Sequence, residues 1–191
     1  MTVKQKDHAS RQTPTLSRRG FITGCAAAAA AMVAPTAFAN IKQSPERVLA
    51  LHHLHTGERR RVTYWAEGSY IQDGLKEINH LLRDHRTGDQ HSMDPALFDL
   101  LHQVQARLEC RGEFQIISGY RSPKTNKMLR QNSSGVAKRS MHMDGKALDI
   151  RLAGCELKQL HRAAKSLKAG GVGLYTRSNF VHVDTGRVRY W

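Results

Sequence analysis

Several features are scarce in this sequence of 191 residues, and each scarcity excludes a class of protein. Three cysteines are too few for a small domain held together mainly by disulfides. The longest apolar run, from Cys25 to Val33, is too short for a stable membrane span. Acidic residues number only 16 against 30 lysines and arginines, which gives a net charge of +14. Such a charge indicates anionic surroundings but does not choose among nucleic acid, lipid headgroups and acidic polymers.

What remains is an ordinary globular composition, with 40% hydrophobic and 24% charged residues and no internal repeat. The length fits one domain plus a short extension. Periodicity and turn signals predict a single α+β domain. The predicted strands cover residues 47–55, 59–65, 114–117, 147–152, 172–175 and 180–184, and the predicted helices lie near residues 75–82, 94–108, 125–131 and 156–169.

Residues 1–39 have the organisation of an export signal. The segment Ser17-Arg18-Arg19-Gly20-Phe21-Ile22 precedes the alanine-rich run, and Ala37-Phe38-Ala39 offers a small-x-small cleavage site. Paired arginines followed by Phe indicate the twin-arginine route, so we expect the twin-arginine translocase as a partner during export. Residues 40–191 are then a periplasmic domain with no stable membrane anchor, a location that argues against nucleic acid as partner. An alanine-rich helix of the mature protein is the alternative.

A lipoprotein box at Cys25 is disfavoured because the apolar run follows this cysteine instead of preceding it. The other two cysteines, Cys110 and Cys155, are free to pair in an oxidising compartment or to stay as buried thiols. Three histidines, His52, His53 and His55, have no carboxylate or thiol beside them at ligand spacing. We interpret them as strand and turn residues, with a metal site as the alternative.

Two polar motifs late in the chain can converge on one point. The seven-residue step from His142 to Asp149 does not suit one helix, but Gly145 between them can reverse the chain. On the strand that follows, His182 and Asp184 share one face. Two imidazoles and one carboxylate suit Zn²⁺ and leave a fourth position for water. The alternative is a set of internally hydrogen-bonded histidines and surface acids.

The order of the motifs resembles a known family. Ser140 to Asp149 resembles the zinc signature of the D-Ala-D-Ala carboxypeptidase and hedgehog-type zinc peptidases, and Ser118 to Ser122 resembles the strand-to-loop motif that precedes it. The tail from Gly170 to Trp191 resembles the YcbK-like murein endopeptidase branch, the MepK type. The resemblance implies a small antiparallel sheet that carries the zinc site, and peptidoglycan stem peptides as substrate. It implies His142, Asp149 and His182 as zinc ligands and Ser140, Tyr120 and Asn179 as substrate-binding residues.

The proton acceptor is less well defined. Many relatives place an acid three positions before the last histidine ligand, where this chain has Asn179, whose amide cannot take a proton at neutral pH. We expect Asp184 to be the base, with orientation of His182 as its alternative role. Asp144 is the next candidate. Arg121 is expected to bind a substrate carboxylate or the oxyanion, whereas most neighbouring cations belong to a solvated face.

Two functions therefore stay open. The first is a zinc endopeptidase that cuts peptidoglycan cross-links containing diaminopimelate, including the 3–3 type. The second is a binding module that keeps the metal without turnover, for which Asn179 is the only internal indication.

Overall fold

The computed structural model describes residues 46–108, 110–133 and 135–191, so the predicted export signal lies outside the described residues. This part of the chain contains four α-helices and one sheet of eight strands. The strands are β1 Arg47–His53, β2 Arg59–Ala66, β3 Ser69–Tyr70, β4 Phe114–Ser118, β5 Ala147–Leu152, β6 Gly171–Tyr175, β7 Phe180–Asp184 and β8 Arg189–Tyr190. The helices are α1 Gln72–Leu81, α2 Pro95–Arg107, α3 Pro123–Asn132 and α4 Leu157–Leu167, and a short 3₁₀ helix, η1, spans Met141–Asp144.

The predicted α+β domain is confirmed, but the sheet is larger than predicted and is mixed. Its strand order is β3-β2-β1-β4-β5-β7-β6-β8. Two pairs, β1 with β4 and β6 with β8, are parallel, and the others are antiparallel. Strand β4 pairs with the edge of β1 opposite to β2, and the long connection through β2, β3, α1 and α2 allows this pair to be parallel. Within this mixed sheet, β5, β7 and β6 are paired antiparallel.

Helix α2 shows how local sequence sets the element boundaries. The carboxylate of Asp94 accepts a hydrogen bond from the Ala96 amide at 3.0 Å, and Pro95 occupies the first turn, where its missing N–H costs nothing. Its predicted apolar stripe is buried up to Val104, while Leu108 is only half-buried. The buried residues of this stripe pack in the same hydrophobic core as residues of α4 and of the central strands. None of the helices in the described ranges is long and apolar enough to cross a membrane.

Strand register brings the site residues together. Asp149 on β5 pairs directly with His182 on β7, and His182 pairs on its other side with Gly173 on β6. Gly145 follows η1 with φ +65°, the left-handed conformation that glycine adopts without strain, and it turns the chain into β5. The predicted reversal at Gly145 is confirmed.

Cys110 and Cys155 are free, half-buried thiols in this structure. Burial and the neighbouring Cys110 thiol raise the pKa of Cys155 to about 12.

Candidate metal and catalytic site

Three side chains from separate elements converge at one end of the sheet. His142 comes from η1, Asp149 from β5 and His182 from β7, and all three are buried. Each offers one donor atom, and these atoms lie within 4.8 Å of one another. The Asp149 Oδ1 lies 3.3 Å from His142 Nε2 and 2.9 Å from His182 Nδ1. The predicted convergence of the two motifs is confirmed.

The outer nitrogen of each imidazole is hydrogen-bonded, and this bond fixes the tautomer. His142 Nδ1 lies 2.8 Å from the carbonyl oxygen of Gly119, which can only accept, so Nδ1 carries the proton. His182 Nε2 lies 2.9 Å from Oδ2 of Asp184, and an ionised carboxylate likewise only accepts. The neutral forms of both rings therefore present a lone pair toward Asp149.

Two lone pairs and a carboxylate oxygen in such proximity repel one another unless a cation lies between them. Burial lowers the pKa of His142 and so opposes its protonation. Burial would also lower the pKa of His182, but the Asp149 and Asp184 carboxylates raise it, so either a proton or a metal ion can lie between His182 and Asp149. Burial alone would raise the pKa of Asp149, but the two imidazoles hold it below its usual range, so Asp149 is ionised. A buried donor set of two imidazoles and one carboxylate, with outer hydrogen bonds to both rings, matches the ligand chemistry of Zn²⁺.

Asp184 is fully buried, and both of its oxygens are occupied. The guanidinium of Arg189 donates to both, at 3.0 and 2.7 Å. Oδ1 also accepts the amide protons of Gly171 and Gly186, and Oδ2 accepts the His182 proton. Burial would raise the pKa of Asp184, but His182 and Arg189 hold it below its usual range. This arrangement favours the alternative role, orientation of His182, over that of a proton acceptor.

Arg121, in the loop after β4, lies beside Asp149 of the His142, Asp149 and His182 donor set. One of its Nη atoms is 3.4 Å from Asp149 Oδ2 and 3.3 Å from Ser118 Oγ, and its Nε is buried without a partner among the described residues. Burial lowers the pKa of Arg121, which nevertheless stays charged at neutral pH. Its guanidinium therefore has donors to offer to an anionic group in the site.

The loop that carries Arg121 is fixed from three directions. The Tyr120 amide donates to Leu82 O at 2.8 Å, the Arg121 amide to His142 O at 3.1 Å and the Ser122 amide to the buried carboxylate of Asp84 at 2.9 Å. Gly119 is required at this contact, because a Cβ there would lie 2.4 Å from Leu82 O.

A cleft of about 650 Å³ opens in front of the donor set of His142, Asp149 and His182. Of the predicted site residues, the lining includes Arg121, Ser140, His142, Asp149 and His182. Arg139, Arg177 and Arg189 add positive charge to it. Because three cations besides Arg121 line the cleft, it suits an anionic ligand.

The other predicted site residues lie away from this lining. Tyr120 stacks on His91 with ring centroids 4.9 Å apart, and Asn179 is exposed in the β6–β7 turn with φ +53°. Asp144 is exposed on η1. Within the described ranges, the structure does not bring these three side chains to the cleft.

The early histidines do not form a second donor set. The rings of His55 and His85 stack at 4.1 Å, and His53 is buried beside them. Among the described residues, His142, Asp149 and His182 are the only group of at least three potential donors that converge.

The sequence analysis did not identify three aromatic residues of the cleft, Tyr175, Phe180 and Trp191. Tyr175 ends strand β6, and Trp191 follows strand β8, whose two residues are too few for an alternating pattern. Gly173 on β6 was the available signal for Trp191, because a Cβ at this position would lie 2.4 Å from the indole.

Comparisons with known proteins identify the family of this chain. A family described as "Peptidoglycan L,D-endopeptidase MepK" matches residues 42–191. The chain is 45% identical over 174 residues to the peptidoglycan L,D-endopeptidase MepK of Escherichia coli K12, covering 91% of this chain and 96% of that protein. It is 45% identical over 146 residues to the probable peptidoglycan L,D-endopeptidase MepK of Haemophilus influenzae Rd, covering 76% and 78% of the two chains. No solved structure gives a significant match. With most of its length matched, the chain belongs to the peptidoglycan L,D-endopeptidase MepK family.

Proposed function

We propose that this protein is a zinc-dependent endopeptidase that hydrolyses peptide cross-links of peptidoglycan in the periplasm. Family membership supports the reaction and the substrate. The observation that carries the zinc dependence is the convergence of two imidazole lone pairs on the buried Asp149 carboxylate.

Three atoms of this chain would hold the metal: Nε2 of His142, Oδ1 of Asp149 and Nδ1 of His182. Bound zinc polarises a carbonyl group and supplies a nucleophilic water at neutral pH. Gly119 O and Asp184 Oδ2 keep the two imidazoles in the orientation that ligation needs, as outer partners of metal-binding histidines do.

Arg121 would supply the second electrostatic element. Its charge lies against Asp149 at the cleft, where it can stabilise the oxyanion that develops during peptide hydrolysis or bind a free carboxylate of the substrate. Ser140 at the cleft lining is available as a hydrogen-bonding group for the peptide.

Asp184 is a positioning residue in this proposal, because its oxygens are already engaged by Arg189, His182 and two backbone amides. Asp149 is the only carboxylate among the described residues that line the cleft. That observation favours the second candidate, a metal-containing module that binds peptidoglycan without cutting it.

The bond and the location follow from the relatives and from the predicted export signal. The relatives are named L,D-endopeptidases, so the cross-link we propose joins an L-centre to a D-centre, as in 3–3 links between diaminopimelate residues. The cationic cleft suits stem peptides, which carry free carboxylates. Export through the twin-arginine translocase would deliver the protein to this substrate.

The test uses purified muropeptide dimers of the 3–3 and 4–3 types, incubated with zinc-loaded protein and with chelator-treated protein. The proposal expects two monomers, whose summed mass equals that of the 3–3 dimer plus one water, and expects them with the zinc-loaded protein only. Dimer binding without products from either substrate supports the binding module instead.

A further inference from the structure

Trp191 is a half-exposed indole that the fold nevertheless holds in place. The residue as a whole is 48% exposed, yet its indole Nε1–H donates to the Tyr175 hydroxyl at 2.8 Å. Its backbone continues the β6–β8 pairing, since the Leu174 amide donates to Trp191 O at 2.9 Å. Side chain and backbone are therefore both fixed to strand β6.

Strand β6 leaves space for this indole. A Cβ at Gly173 would lie 2.4 Å from Cε2 of Trp191, so the indole occupies the place where a side chain would otherwise stand. From another side, the Arg189 guanidinium lies 5.1 Å from the ring centroid while it also binds Asp184. Arg189 therefore contacts both the Trp191 indole and Asp184, the residue that orients His182.

The indole belongs to the cleft. Its ring centroid is 5.3 Å from that of His182, and it lines the cleft together with Tyr175. Fixing a large apolar ring while half of its surface stays in water has a cost in entropy and gains little from burial. An ordered, exposed aromatic beside polar groups is typical of a ligand site, where the ligand completes the burial.

We propose that the Trp191 indole is a substrate-binding surface that packs against the aliphatic part of the peptide residue next to the scissile bond. This inference rests on the proposed peptidase function. Consecutive Cα atoms are 3.80 Å apart, so a ring about 5 Å from His182 contacts residues that directly flank the bond. The Arg189 cation at the ring disfavours a second cation there, which leaves aliphatic carbon as the matching chemistry.

A sugar ring is the other group that commonly packs on an indole. The glycan is attached at the start of the stem peptide, several residues from the cross-link. A contact this close to His182 therefore favours the peptide over the glycan.

Strand β8 offers a matched control. Tyr190 is adjacent and comparably exposed, at 41%, but its hydroxyl donates to Lys165 O, and it does not line the cleft. For Trp191→Ala we expect KM for the 3–3 dimer to rise about tenfold, the effect of losing contact with about two methylene groups. We expect kcat to stay within about threefold and zinc content to be unchanged. Tyr190→Ala should keep the wild-type KM.

Gly173→Ala provides a second route to the same effect. The added methyl displaces the indole without removing it, so KM should rise as in Trp191→Ala. Trp191→Phe, which keeps an apolar ring, should restore most of the lost affinity.

Fluorescence gives a readout that does not depend on turnover. The chain has two tryptophans, and Trp65 packs against Tyr70 on β2 and β3, far from the cleft in the strand order. In Trp65→Phe, emission from Trp191 should change when a non-hydrolysable peptide dimer binds. In Trp191→Phe, emission from Trp65 should not change.

The decisive comparison uses the 3–3 dimer with and without its disaccharides. The proposal expects the same rise in KM for Trp191→Ala on both substrates. An effect seen only with the disaccharide-bearing dimer overturns it in favour of glycan binding, and a wild-type KM on both overturns it altogether. If the wild-type protein cuts neither dimer, the proposed function fails, and the fluorescence titration alone decides whether Trp191 contacts the peptide.

Discussion

The side chains of the site contribute two kinds of atoms: those that face the proposed metal position and those that hold these donors in place. Each histidine uses one nitrogen for the site and the other for a fixed acceptor, Gly119 O or Asp184. Sequence spacing alone could not assign Asp184, because a carboxylate two residues from His182 can point to the site or to the ring behind it. The Arg189 contact settles its orientation in the fold.

Asp184→Asn should therefore lower zinc affinity about 10- to 100-fold, since the variant no longer offers an anionic acceptor to the His182 ring. Competition with a zinc-binding dye measures this affinity. Asp144→Asn, an exposed acid on η1, is the matched control and should bind zinc normally. Normal zinc affinity together with a loss of turnover in Asp184→Asn would restore Asp184 as the proton acceptor.

Arg121→Ala should lower turnover on the 3–3 dimer by about 10²-fold, the cost of losing one oxyanion donor. Zinc content should be close to wild type, because an arginine is not a ligand. Steady-state kinetics and metal analysis check both. Arg130→Ala, on the exposed face of α3, should behave as wild type. Wild-type turnover in Arg121→Ala contradicts the role.

Secondary-structure elements position these side chains. Most of these elements could be predicted from the sequence. The hairpin of β1 and β2, the Asp94–Pro95 helix start and strand β5 follow from alternation, capping and apolar runs. The strands β3 and β8 could not be predicted, because two residues carry no periodicity. Parallel pairing of β1 with β4 depends on contacts distant in sequence, which local patterns do not encode.

The loop after β4 depends on a residue that no motif indicated. Asp84 is buried, and although burial would raise its pKa, hydrogen bonds from Thr125, Ser122 and Arg86 lower it to about 2. Because the pKa in the folded state lies below that of the unfolded chain, Asp84 stabilises the fold above about pH 4. This contribution is lost as the pH falls toward about 2.

Asp84→Asn should lower the free energy of unfolding by about 2 kcal/mol at pH 7, and the difference from wild type should shrink between about pH 4 and pH 2. Urea unfolding across this range measures both quantities. Asp89 is an exposed acid that lies, like Asp84, between α1 and α2. Asp89→Asn should change the free energy of unfolding by less than about 0.5 kcal/mol across this pH range. A difference for Asp84→Asn that does not depend on pH contradicts the account.

The molecule as a whole should be more stable with metal than without it, because the donor set exists only when η1, β5 and β7 are in place. Zinc at 100 times its Kd should raise the free energy of unfolding by about 2.7 kcal/mol. Thermal unfolding with zinc and with chelator checks this. The increase should vanish in His142→Ala and persist in His80→Ala, which changes an exposed histidine on α1. An equal increase in His142→Ala would place the metal elsewhere.

The most direct test of the central claim compares wild type with His142→Ala on purified 3–3 dimer in the same zinc-containing buffer, by mass spectrometry of the products. His142 contributes a ligand atom and no other chemistry in this account, so its loss should abolish both bound zinc and cleavage. We predict two monomers from the wild type and intact dimer from the variant. Cleavage by His142→Ala at the wild-type rate would contradict the assignment of the metal site.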